Sequence, residues 1–112
     1  MPSLLYLILF ILIAFGDARR TTYKSKNAAS KVWNLAKPIK GKNSDVYRQD
    51  PYGNQLNRQS YGSTGKYGWQ IDHIIPQNRG GSNDITNLQA LSSYINMQKG
   101  DSLVKKSRHS SL

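Results

Sequence analysis

Between Trp69 and Asp101 the chain reads WQIDHIIPQNRGGSNDITNLQALSSYINMQKGD, an order of patterns that few architectures accommodate. Trp69, Ile71, His73 and Ile75 alternate with Gln70, Asp72 and Ile74, the period of a strand, which puts Asp72 and His73 on opposite faces. Pro76 has no N–H to give to a ladder and is expected to end that strand. Gln77 to Thr86 is polar and contains Gly80-Gly81, so it reads as a surface loop rather than a helix. Leu88, Ala90 and Leu91 predict a returning strand. Ser92 or Ser93 then suits the N-cap of a helix to Lys99, with Gly100 where a left-handed C-cap is wanted. At about 100° per residue, Leu91, Ile95 and Gln98 share one side of that helix and Asn96 points away. The expected order is strand, long loop, strand, helix.

Asp72-His73, then Asn87 in an N-L-Q-x-L return, then Asn96 in N-x-x-K-G-D, resembles the HNH nuclease family, whose motif is a ββα-metal unit of the His-Me finger type. The likeness is to the H-N-N variant, with asparagine in the third position, as in HNH domains of RNA-guided nucleases. The matched stretch is 33 of 112 residues, and residue types, spacing and the Gly-Gly loop agree over it. Similar D-x-Y-G-N and Y-G stretches precede the motif in some HNH proteins, which extends the resemblance, more weakly, back to about Val32.

Hydrolysis of a phosphodiester requires a nucleophilic water, a cation against the phosphate and the leaving oxygen, and a means of holding these in line. His73 suits the general base, since an imidazole accepts a proton at neutral pH. Asp72 offers a hard carboxylate and Asn96 a hard amide oxygen, which suit Mg²⁺ or Mn²⁺ with waters and phosphate oxygens completing the shell. By the resemblance, Asn87 completes the catalytic set with His73, bracing the loop that carries the histidine. The products would carry a 5′-phosphate and a 3′-hydroxyl. A regular strand separates Asp72 from His73, so joint action on one phosphate predicts a break in the pleat near Asp72. Arg79 in the loop and Lys99 at the helix end are candidates for nucleic-acid contacts.

Lys and Arg number 16 against 6 acidic residues, all of them Asp, and the net charge of +10 favours a polyanionic partner. Nucleic acid is the expected partner, DNA before RNA, with no small-molecule cofactor. An inhibitor protein is compatible with such an activity and leaves no signature in the sequence. There is no cysteine, which excludes disulfides and a Cys-based zinc site.

Residues 4 to 15, LLYLILFILIAF, form an uninterrupted apolar run shorter than the ~20 residues of a membrane span and of the length of a signal-peptide core. A signal peptide over 1–18 predicts a secreted or exported protein. The alternative is a membrane anchor over 4–16, favoured by Arg19-Arg20 and by the missing basic start. A membrane partner follows only in that case. Residues 19–44 read as a basic arm with a short helix from Ala28 to Leu35 around Val32 and Leu35, ended by Pro38 and Gly41. Trp33 reads as a packing anchor. Asp45 to Tyr61 predicts a hairpin, Val46–Arg48 and Gln55–Arg58 flanking the turn Asp50-Pro51-Tyr52-Gly53-Asn54. The nuclease domain is expected over 45–103, with its core motif at 69–101. A basic frayed tail, with a solvated His109, is expected over 104–112.

The sequence therefore predicts a small α+β protein in which a hairpin precedes a ββα-metal unit, after an N-terminal signal or anchor helix. Its predicted function is that of a metal-dependent endonuclease acting on DNA with little sequence specificity. The first rival is a non-cleaving basic nucleic-acid-binding module on the same scaffold. The second is a cationic membrane-active protein in which the motif is coincidental.

Overall fold

Ala28, Val32, Trp33 and Ala36 recur at helical spacing and mark one apolar stripe, and in the computed structural model Ala28–Leu35 is a helix, α1, with that stripe buried. The structure describes residues 27–99, without the Lys99 side chain, and 106–109. The expected signal or anchor, the Gly100 cap and the rest of the C-terminal stretch lie outside those residues. Among the described residues no helix is long and apolar enough to cross a membrane. Leu35, expected inside with Val32, is exposed. The stripe centres between Val32 and Trp33, which leaves Leu35 beyond its edge.

Trp33 and Trp69 carry the packing between α1 and the motif. Their rings lie 5.5 Å apart between centroids, and both residues are essentially inaccessible to solvent. Each indole N–H has a carbonyl to donate to, Trp33 to Ser44 and Trp69 to Asn57, both at 3.0 Å, so neither ring buries an unpaired donor. From Asn27 onward, then, the stretch expected as a basic arm contributes Ala28, Val32, Trp33 and Ala36 to the core.

After α1 the chain forms β1 (Lys37–Pro38), β2 (Tyr47–Gln49) and β3 (Gln55–Asn57), an antiparallel sheet in that order. The expected hairpin is β2 and β3, starting and ending one residue inside the expected bounds. In place of a fourth strand residue, Arg58 opens a 3-10 turn over Arg58–Ser60. β1 has no periodicity to read, and its Pro38 sits at the sheet edge, where a missing N–H costs no ladder bond.

The turn between β2 and β3 is organised by Asp50, which is 2% exposed. Its Oδ1 accepts from the backbone N–H groups of Tyr52 and Asn54, each at 2.9 Å. Oδ2 accepts from Asn54 Nδ2 at 3.1 Å and from the Ser92 N–H at 3.0 Å. Gly53 takes φ 85°, the left-handed conformation the turn requires. One carboxylate thus closes the hairpin and ties it to the motif 42 residues on. Asp50→Ala is expected to destabilise the protein by about 2–4 kcal/mol, since it takes the acceptor from four donors at once, that of buried Ser92 among them; the urea midpoint measures it.

The second sheet pairs β4 (Trp69–His73) with β5 (Leu88–Ser92), antiparallel, with Ile71 opposite Ala90 and Asp72 opposite Gln89. Trp69, Ile71, Leu88 and Ala90 face α1 and Leu56 in the core. β4 was expected to run to Ile75; it stops at His73, and Ile75 is exposed. Helix α2 (Ser93–Lys99) follows directly, and Ser92 Oγ accepts from the Ile95 N–H at 3.1 Å as the expected cap.

The orientation of α2 differs from the expectation. Leu91 belongs to β5, so the helical count starts after it; Gln98 is exposed, and Asn96 is half-buried and donates to Gln70 of β4 at 3.0 Å. Asn96 therefore faces the sheet.

The free edge of β5 is covered at both ends, by Asp50 at Ser92 and by Lys106–His109 near Leu88. Arg108 Nε donates to Leu88 O at 3.0 Å, and one of its terminal nitrogens reaches Ile85 O and Thr86 O. The expectation of a frayed tail does not describe these residues, because the guanidinium finds carbonyl oxygens at the start of β5 and on the turn before it. His109 is exposed, as expected.

Candidate functional site

Position within β4 decides where Asp72 and His73 point. Pairing stays regular through Asp72–Gln89 and His73–Leu88, and beyond the strand the Ile74 N–H still donates to Asn87 O at 2.8 Å. The break in the pleat expected near Asp72 does not occur. The ladder itself enforces regularity, and the two residues occupy opposite faces of the strand end.

Asp72 is buried on the face it shares with Gln70, and accepts a hydrogen bond from Gln89 Nε2 at 2.9 Å. Because Asn96 reaches Gln70, α2 delivers its amide to this same face. The Asn96 Nδ2 is donated to Gln70 Oε1, which keeps Oδ1 as the acceptor. The structure thus gathers Asp72 and Asn96 on one side of β4.

His73, half-buried, lies on the other side, where its Nε2 is 2.8 Å from Asn83 Oδ1. Gln77 Nε2 donates to that same oxygen at 2.8 Å. An oxygen accepting there makes His73 Nε2 the protonated nitrogen and Nδ1 the unprotonated one in the neutral ring. Asn83→Ala is expected to release the tautomer and orientation of the ring, which the 15N chemical shifts of the two imidazole nitrogens measure.

Asn87 closes the 3-10 turn Ile85–Asn87 and is buried. Its Oδ1 accepts from the Ile75 N–H at 2.9 Å; its Nδ2 donates to Ile75 O at 3.0 Å and to Ser82 O at 2.8 Å. The side chain thus replaces a strand partner where β4 has ended and fastens both ends of the intervening loop. Inside that loop Gly81 lies so close to Ile75 that a Cβ would sit 1.7 Å from the Ile75 carbonyl oxygen. No larger residue fits without moving the backbone.

Arg79 closes a 3-10 turn, Gln77–Arg79, and is exposed on the loop. Lys99 is the last residue of α2, and its side chain lies outside the described residues. Sequence reasoning missed Gln89 and Asn83. The first had a signal: pairing His73 with Leu88 places Gln89 against Asp72. Asn83 had none, since its partner depends on the path of the loop.

Two antiparallel strands, an asparagine-fastened loop and a helix, with Asp-His at the first strand's end, define a small α+β protein of ββα type. Residues 59–102 match the family model of the HNH endonuclease, and the chain carries a domain of that family. HNH domains are in general nucleases, and nucleic acid is their class of substrate. The match begins at Gln59, so the weaker likeness back to Val32 lies outside it. No curated protein and no solved structure matches the chain.

Proposed function

We propose that this chain is a metal-dependent HNH endonuclease of the H-N-N variant, hydrolysing phosphodiester bonds in DNA with little sequence preference. The observation that carries the reading is the hold on His73, by Asn83 at the ring and by Asn87 on the backbone that follows it. A base needs that constraint, and a strand-end histidine serving only to fill surface does not.

Asp72 and Asn96 Oδ1 fit a hard divalent cation, Mg²⁺ or Mn²⁺, as one carboxylate and one amide oxygen on a shared face. Among the described residues no three His, Cys, Asp or Glu side chains gather, so waters and phosphate oxygens would complete the shell. When bound, the cation supplies positive charge to the phosphate and the leaving oxygen. His73 Nδ1 removes a proton from water, whose oxygen attacks phosphorus as the P–O3′ bond breaks; Nε2–H stays on Asn83. A phosphodiester lying across the end of β4 would meet both faces. Because the reacting group is common to every nucleotide, these residues read no bases. The charge of +10, with Arg79 and Lys99 among its sources, holds the polyanion.

End-labelled DNA and RNA oligonucleotides of one sequence test the substrate. DNA cleavage leaving ligatable 5′-phosphate and 3′-hydroxyl ends is expected. Cleavage confined to RNA, or ends that do not ligate, would contradict the reading. The apolar run at 4–15 further supports action outside the producing cytoplasm, as a secreted protein or one anchored by 4–16. Terminal sequencing of the chain recovered from its host distinguishes cleavage after about residue 18 from retention.

A further inference from the structure

Gln89 is 1% exposed and stands directly opposite Asp72 in the sheet. Its amide is committed at both ends. Nε2 donates to Asp72 Oδ2 at 2.9 Å and also faces Lys106 O at 3.4 Å, whereas Oε1 accepts from the Arg108 N–H at 2.8 Å. The last of these decides which end of the amide meets the acid. A glutamine held by its oxygen presents its NH₂ group to the carboxylate.

Lys106–Arg108 is anchored independently of Asp72. Besides the guanidinium bonds to Leu88, Ile85 and Thr86, the Lys106 N–H donates to the Tyr52 hydroxyl at 3.0 Å. Two of those carbonyls belong to the turn that ends in Asn87. Burial lowers the Arg108 pKa from its ordinary value, and the guanidinium stays charged. Arg108, beyond the helix, thus touches both the turn that leads into the brace of the loop and the partner of the acid.

We infer that Gln89 is a positioning residue for Asp72, and that Lys106–Arg108 is a strap that aims it, so that cation binding at Asp72 and docking of the strap reinforce each other. The inference rests on the reading of Asp72 as a cation ligand. Groups that orient a ligand from behind control its affinity for metal. Reciprocity follows: if the docked strap favours the cation, the cation must favour the docked strap. A glutamine that merely satisfies a buried acid would change stability and would not link the strap to metal.

The test uses the full chain. Mn²⁺ binding is titrated by calorimetry for wild type, Asp72→Asn, Gln89→Leu and Arg108→Ala, and deuterium uptake at 106–109 is followed with Mg²⁺ or EDTA. Asp72→Asn should lose Mn²⁺ binding, and Gln89→Leu and Arg108→Ala should each weaken it about tenfold. Saturating Mg²⁺ should slow uptake at 106–109 in wild type and not in Asp72→Asn. If Asp72→Asn binds Mn²⁺ like wild type, the reading of the site falls and the strap with it. If Asp72→Asn loses Mn²⁺ while the other two keep wild-type affinity, the site stands and the strap is overturned. Should a variant fail to fold, the wild-type exchange decides, and uptake indifferent to Mg²⁺ overturns the inference.

Discussion

His73→Ala is expected to lower the proposed cleavage by about 10²–10⁴-fold and to leave nucleic-acid binding intact, as when a general base is removed and the binding surface is kept. The imidazole is half-buried at a strand end and bonded to a loop asparagine, so its removal opens no large void in the core. The proposed binding rests on a diffuse positive charge of +10 that counts no histidine. His73→Gln keeps a hydrogen-bond donor for Asn83 and supplies no comparable base, so it should be as inactive as the alanine variant. Single-turnover rates beside filter binding check both. A variant that cleaves at near wild-type rate would move the base elsewhere.

Asn87→Ala combines loss of stability with loss of activity. Its side chain makes bonds to Ile75 N–H, Ile75 O and Ser82 O from a position 8% exposed, and alanine leaves these backbone groups without that partner. At about 1 kcal/mol for each bond, with a penalty for groups left buried, the cost is about 3 kcal/mol or more. In a domain of this size the melting temperature falls by on the order of 10 °C or more. Asn96→Ala forms the contrast. Among the described residues its amide makes one bond, from a half-buried helix position, so the substitution should cost about 1 kcal/mol or less while removing a proposed cation ligand. Thermal unfolding in EDTA, followed by cleavage assays on both variants, separates a brace from a ligand. Equal melting temperatures for the two would contradict these assignments.

The motif strands, their loop and the helix were legible because each carries a local rule: period two around Ile71, a glycine pair where Gly81 nearly touches Ile75, a serine at the helix start. α1 and the Asp50 turn were legible for the same reason. What escaped depends on contacts distant in sequence. β1 spans two residues and has no pattern; it exists because Lys37 and Pro38 lie beside β2. The face of α2 that Asn96 occupies is set by the turn from β5, and a count begun inside the strand misplaces it. The uninterrupted pleat at Asp72 follows from Gln89 and Leu88 across the sheet. The strap follows from Arg108 finding carbonyls some twenty residues away. Local chemistry therefore foretold the elements, whereas the partner of Asp72 came from strand pairing and that of His73 from the path of the loop.

The central claim is that this site cuts DNA with a divalent ion and His73, and relaxation of supercoiled plasmid tests it most directly. Wild type and His73→Ala are incubated in parallel with Mg²⁺, Mn²⁺ or EDTA, and binding is measured on the same preparations. Wild type should nick with either metal and not in EDTA, and His73→Ala should bind without nicking. Nicking that persists in EDTA or in His73→Ala would contradict that claim, as would a wild type that binds plasmid and leaves it supercoiled in every metal.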